Sequence, residues 1–457
     1  MTRLNLAWMI AVPLALLLGL TLSYSAPNNP KEKDYELVKL MVDVLAEVDS
    51  HYVRKLDDAG KRKLVEDMIN LGLEKLDPYS AYLNPEEYKQ FERQSEGVFG
   101  GVGIQLGLEP KTGQLMVISP MVGTPAFEAG ILADDLIVKI NDKSTENMRI
   151  SEAITHIQGE AGTPISLTVR REGEKEPKTL TMKRGRIEVE AVLGFERKEN
   201  NPKEWQWFAD KDNGIAYIRL VSFSEHATAE LRKAVEIIQK EGAKALILDL
   251  RDNPGGLLSA AIDISDTFLT EGKIVSIRDR DQRGKVYEAK VNDTLFEPAN
   301  KHPMVVLINK NSASASEIVS AALQDHKRAV IIGERSYGKG SVQKILKLTN
   351  DPVTALKLTT DSYWRPSEKN IHRHPDFKET DEWGVKPDPG FDLPLKDEER
   401  IEYLKARRNQ DIIGKKKKDD EKPFTDRVLQ KALEHLKKEV SGLGAAPFLD
   451  LTLPVAS

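Results

Sequence analysis

The sequence predicts a multidomain chain of mixed class. It reads as an N-terminal helical region, a small β-rich module, an α/β core whose mixed sheet is covered by helices, and a helical C-terminal tail. Three observations predict this. Apolar residues recur at three- and four-residue spacing in YELVKLMVDVLAEV (35–48), the period of an amphipathic helix. The Gly-rich GVFGGVGIQLG (97–107) then opens a run of short strands. Beyond 187, continuous apolar strands alternate with helical segments, the pattern of a parallel or mixed sheet with both faces covered.

At the N-terminus, Arg3 precedes an apolar run from Leu6 to about Leu22, a positive segment ahead of a hydrophobic one. Residues 1–27 therefore predict export, as a cleaved signal peptide or as an anchor in the inner membrane. The expected location is periplasmic or otherwise extracytoplasmic. Residues 28–96 form the helical region. A second helix is expected over about 57–76, DPYSAYL reads as a turn, and NPEEYKQFERQ begins with an Asn cap and a Pro at the first helical position. The β-rich module covers 97–186 and includes the short helix ISEAITHIQG. The α/β core covers 187–395, with strands in NGIAYIRLVSF, AKALILDLRD, HPMVVLINKN and RAVIIGE. Its site is expected at the carboxyl ends of those strands. Residues 396–457 are a charged linker and an amphipathic helix carrying Val428, Leu429, Ala432, Leu433, Leu436 and Val440. The terminal helices are candidate surfaces for a homo-oligomer.

Composition narrows the chemistry. A net charge of −5 offers no strong basic field, so no nucleic-acid partner is expected. With no cysteine, disulfides, thiolate metal sites and a cysteine nucleophile are excluded. GERSYGKGS (333–341) nearly spells a phosphate-binding loop, but Gly340 stands where a hydroxyl would hold magnesium. The next residues, VQKILKLT, are patterned as a strand rather than the required helix.

Two readings compete for Ser314 in NKNSASASEIVSAALQDH. With Glu317 it makes an S-x-x-E capping box, which would satisfy backbone N–H groups. It is also a serine at a helix N-terminus, where free N–H groups suit the oxyanion formed when a serine attacks a carbonyl. Such a serine needs a base, and His326 lies about three turns down the helix, too far to serve. A lysine kept neutral by burial can serve, and Lys339 is the candidate. A third segment, LDLRDNPGGLLSAA, turns sharply from strand to helix and offers the Gly255 N–H to the same pocket.

Taken together, these segments resemble the C-terminal processing peptidases, or tail-specific proteases, over about residues 36–392. The matching pieces are GVFGGVGIQLG, SPMVGTPAFEAGILADDLIVKINDKS, YIRLVSFSE, LILDLRDNPGG, the run from Asn309 to Gln343, and GVKPD. The resemblance implies a serine endopeptidase that cleaves exported proteins near their C-termini, with a Ser/Lys dyad and an embedded PDZ domain. It implies Ser314 as nucleophile, Lys339 as general base and Gln343 as the residue orienting the lysine. The oxyanion N–H groups would be those of Gly255 and Ala315. Neither metal nor cofactor is implied. The partners would be protein or peptide substrates with free C-termini. Their carboxylate would be captured by the loop Gly101, Val102, Gly103 and Ile104, beside the helix EAITHIQG. One departure is Asn311, where the family often has glycine; asparagine tolerates left-handed backbone nearly as well.

Weaker signals read as structural. His372 and His374 suggest a solvent loop, His226 a helix cap or the rim of the site, and Asp249 with Arg251 an ion pair steadying the Gly255 turn. Tyr363 and Trp364 suggest packing close to the site.

Overall fold

The computed structural model describes residues 30–109, 111–291, 294–296, 302–350, 352–411 and 424–444. The expected signal or anchor segment and the charged run at 415–418 lie outside them. Among the described residues, no helix is long and apolar enough to cross a membrane. Two compact units divide between Lys75 and Leu76.

The first unit pairs α1 (Pro30–His51) with α2 (Asp58–Glu74). Asp57 caps α2 by accepting the Gly60 N–H at 2.8 Å, and the ion pair Lys61–Asp49 (2.6 Å) joins the two helices. Tyr35, Leu37, Val38 and Leu40 of α1 remain exposed.

The second unit begins with β1 (Ala81–Leu83) and α3 (Pro85–Glu96). Asn84 and Glu87 cap α3 reciprocally, at 3.0 and 3.1 Å, with Pro85 opening the helix as its sequence predicts. β2 (Val98–Gly101) leads into β3 (Ile104–Leu108), β4 (Leu115–Pro120), α4 (Pro125–Glu128), β5 (Leu136–Ile140), β6 (Lys143–Ser144), α5 (Ile150–Ile157), β7 (Pro164–Arg170) and β8 (Lys178–Lys183). These strands form one antiparallel sheet, β3-β4-β5-β7-β8, with β6 on β5. Val117, Ile137, Leu167 and Val169 fill its core against Ala153 and Ile157 of α5. The return strand β9 (Gly185–Glu188) pairs with β2 and closes the neck of the module.

The core continues through β10 (Val192–Leu193), β11 (Glu196–Lys198), β12 (Asn201–Gln206), β13 (Phe208–Asp210), β14 (Ile215–Leu220), α6 (Ala227–Lys240), β15 (Ala245–Asp249), α7 (Leu258–Asp266), β16 (Lys273–Asp279) and β17 (Gly284–Glu288). It is completed by β18 (Met304–Ile308), α8 (Ala315–Asp325), β19 (Val330–Gly333), β20 (Ser341–Asn350), β21 (Val353–Trp364), α9 (Asp397–Asp411) and α10 (Arg427–Gly444). β14, β15, β18 and β19 run parallel, while β10 and β13 join β14 antiparallel, which makes the sheet mixed. Alternate residues face opposite sides, as a strand requires. Ile218, Leu248, Val306 and Ile331 pack under α6, α7 and α8. Tyr217, Ile247, Leu307 and Ile332 face α10, which buries Val428, Leu429, Ala432 and Leu436 against them. The apolar stripe of the C-terminal helix is thus consumed by the core, so the expected oligomer surface there is not free.

DPYSAYL is more than a turn. Its last residues are β1, which pairs with β21. Three residues carry no periodicity of their own, and they extend only because a partner strand lies beside them. β21 also joins β16 and β20 in a second sheet.

Candidate active site

Three loops leave the carboxyl ends of adjacent strands β15, β18 and β19, and they carry Gly255, Ser314 and Lys339 respectively. The first two are laced together. Ala313 N–H donates to the Asn253 carbonyl at 3.1 Å, and the Ser316 hydroxyl donates to the same oxygen at 2.9 Å. The Asn309 side-chain oxygen accepts the Asp252 N–H at 3.0 Å. A Cβ built on Gly255, whose φ is +98°, would stand 2.9 Å from both Ser314 Cβ and Ala315 N. Glycine is therefore required for this approach.

Ser314 opens α8 with φ 56° and ψ −114°, a left-handed conformation that is costly for any residue with a Cβ. Asn311, the position expected to tolerate such backbone, is not among the positive-φ residues. The strain falls on the serine itself. Only half of the expected cap is visible in its hydrogen bonds. Glu317 accepts the Ser314 N–H at 2.8 Å, but the Glu317 N–H donates to the Ser314 carbonyl, which leaves the hydroxyl out of that role. The hydroxyl instead interacts with Tyr363, whose own hydroxyl burial pushes up to about 12.

Glu317 is the hub of the site. Its Oε1 accepts from the Ser336 hydroxyl and the Gly338 N–H, both at 2.6 Å. Its Oε2 accepts from the N–H groups of Ser314 and Lys339, both at 2.8 Å. One carboxylate oxygen thus joins the backbones of the two residues predicted to react. Burial pushes this carboxyl up to about 7, against the four donors that favour its charged form.

Lys339 is held below the usual lysine range, chiefly by burial and then by Lys357, with Glu317 and Asp77 opposing. Its Nζ stands 4.7 Å from the centroid of the Tyr79 ring. Gly340 belongs to a tight crossing, since a Cβ there would stand 2.2 Å from the His372 backbone nitrogen. That places His372, read as part of a solvent loop, half-buried behind the lysine loop.

The remaining predicted residues are placed less simply. Ala315 N–H, at the start of α8, has no acceptor among the described residues, whereas Gly255 N–H donates to Asn253 Oδ1 at 2.8 Å. The Gln343 amide donates to Ser341 and Thr359, each at 3.0 Å, and not to Lys339. In the module, the N–H groups of Val102 and Gly103 have no acceptor among the described residues. Gly101 and Ile104 end the flanking strands β2 and β3. Asp249 and Arg251 pair as expected, by Arg251 Nη2 at 2.7 Å. Burial works to raise the Asp249 carboxyl, but Arg251 outweighs it and brings the group to about 2. Sequence reasoning missed Tyr79, hidden in an apparent turn, and took Glu317 for a cap alone.

A strained serine at a helix start, a half-buried lysine on the next strand's loop, and a small β module with an open N–H loop fit a serine peptidase carrying a PDZ domain. Known proteins agree. The pattern of Peptidase family S41 matches residues 214–389, and a PDZ domain pattern matches 116–171. The carboxy-terminal-processing protease of Bartonella bacilliformis is 37% identical over 408 residues, covering 86% of each chain. The carboxy-terminal processing protease CtpA of Bacillus subtilis is 35% identical over 79% of this chain and 70% of its own. Among solved structures, a photosystem II D1 C-terminal processing protease matches 77% of this chain and 86% of its own, at 26% identity and a TM-score of 0.42. The chain belongs to peptidase family S41 and is a serine peptidase of the carboxy-terminal-processing type.

Proposed function

We propose that the chain is an endopeptidase acting outside the cytoplasm, with Ser314 as nucleophile and Lys339 as base, and with the PDZ domain engaging substrate C-termini. The single observation carrying this reading is Glu317 Oε2, which accepts from the backbones of both residues. A neutral Lys339 takes the Ser314 proton as the hydroxyl attacks a peptide carbonyl. The oxyanion forms against the Ala315 N–H, joined by Gly255 once its loop turns from Asn253. The lysine, now charged, protonates the departing amine. It then takes a proton from the water that attacks the acyl group and returns it to the Ser314 oxygen as the acid leaves, restoring the neutral lysine. No step calls for a metal or cofactor.

Within this reading, residues 97–186 recognise and residues 187–395 cut. The export expectation rests on Arg3 and the apolar run behind it. The exposed apolar side chains of α1 favour contact with a second copy.

A serine-directed phosphonate reagent is expected to label the wild type and not Ser314→Ala, which should stay folded and hydrolyse no peptide. Equal labelling of Ser314→Ala would discard the assignment. Recognition is tested separately. A peptide with a free C-terminal carboxylate is expected to bind about tenfold or more tightly than its amide, the worth of charge-assisted bonds to two N–H groups. Gly103→Val should erase that difference, because φ there is +75° and a Cβ would meet Thr124 at 2.4 Å. Equal affinity for acid and amide in the wild type would remove the carboxylate role.

A further inference from the structure

We propose that Tyr79 is a positioning residue of the dyad: its ring closes over Lys339 Nζ and keeps the amine out of bulk water. The inference rests on the Ser314/Lys339 reading and assigns a role to a segment far from both in sequence.

The geometry is specific. Nζ lies 4.7 Å from the ring centroid. Among the described residues, no carboxylate pairs with Lys339 and no acceptor takes its Nζ. The charged groups around it act from several elements: Lys357 of β21, Glu317 of α8, and Asp77 of the turn that carries the ring. The ring lines a cavity together with Tyr337, on the lysine's own loop. The ring's backbone is fixed by Asp77, which accepts the N–H groups of Tyr79 and Ser80 at 2.8 and 2.9 Å and the Ser80 hydroxyl at 2.7 Å.

The turn is also tied to β21. Thr359 donates its hydroxyl to Asp77 at 3.1 Å and its N–H to the Ser80 hydroxyl at 3.0 Å. The same Thr359 hydroxyl accepts the Gln343 amide at 3.0 Å. Gln343 therefore reaches the lysine through Thr359, Asp77 and the Tyr79 ring rather than by direct contact. Within this proposal, any orienting by Gln343 runs along this indirect route.

Removing the ring admits water, which favours the ammonium and leaves less neutral base at a given pH. The ring face also attracts a cation, which works the other way. The lysine is nevertheless held low, so burial prevails. Tyr79→Ala is expected to lower kcat about 30- to 100-fold with KM little changed, the cost of a misplaced base. The acid limb of its kcat/KM profile should move up by about one pH unit. Tyr79→Phe keeps the ring and should retain rate and limb. Thr359→Val loosens the turn without touching the ring and should shift the limb in the same direction, by less. This variant also serves if Tyr79→Ala proves unfolded by circular dichroism. A wild-type kcat and an unmoved limb in folded Tyr79→Ala would overturn the proposal. So would a Phe variant as impaired as the Ala variant. An active Lys339→Ala enzyme would instead remove the dyad reading beneath it, and the two failures are told apart by that variant.

Discussion

Lys339→Arg is expected to lose about 10³-fold or more in kcat/KM on a peptide substrate, the scale of a missing general base. The substitution keeps a cation of similar reach. It removes the ability to shed a proton, because a guanidinium stays charged at any working pH. Burial already disfavours the lysine's charge, with Lys357 adding to it. The wild-type rate should therefore rise as pH climbs through the depressed lysine value, and the arginine variant should show no such limb. Near-normal hydrolysis by Lys339→Arg would mean that the base lies elsewhere. The stability of the variant should be measured alongside, since a larger charged group beneath the Tyr79 ring strains the loop.

The second large effect is expected at Glu317. Each carboxylate oxygen accepts two donors. An amide nitrogen accepts none, so Glu317→Gln leaves two donors unmet whichever way it sits. Each orphaned buried donor costs about 1–3 kcal/mol. Relief from burying a charge offsets part of this, leaving an expected net loss of about 2 kcal/mol or more. Because Ser314 and Lys339 hang on the same oxygen, kcat should fall about 100-fold as their spacing loosens. The pH dependence adds a signature. A carboxyl raised to about 7 holds its proton more tightly folded than unfolded. Its contribution to stability is present below the ordinary carboxylate range and declines as pH rises to about 7. The Gln variant should lack that decline. A Glu317→Gln protein with wild-type melting temperature and rate would show that the carboxylate is incidental.

Much of the architecture was legible because the core strands are continuous apolar runs bounded by turn residues. Tyr217, Ile247 and Leu307 announce strands covered on both faces before any partner is known. Ser314 and Lys339 were singled out through the motifs around them. What stayed hidden depends on three-dimensional company. β1 is extended only beside β21, so DPYSAYL alone reads as a turn. Glu317 looks like an ordinary cap until Ser336, Gly338 and Lys339 fold back onto it. Gln343 was expected on the lysine, but Thr359, contributed by the neighbouring strand, takes its amide.

Helix α10 also bears on how such an enzyme is held together. The sheet face bearing Ile215, Tyr217, Ile247 and Leu307 is covered by residues that follow every strand of that sheet in the chain. Without Val428, Leu429, Ala432 and Leu436, that face loses its helical cover, and the strands leading to Ser314 and Lys339 lose support on that side. Burying those four side chains contributes several kcal/mol, with about 1.5–3 kcal/mol for each large one, comparable to a domain's entire margin of stability. The sheet behind the site is thus steadied by a helix from far along the chain: the blade depends on a handle gripping the opposite face.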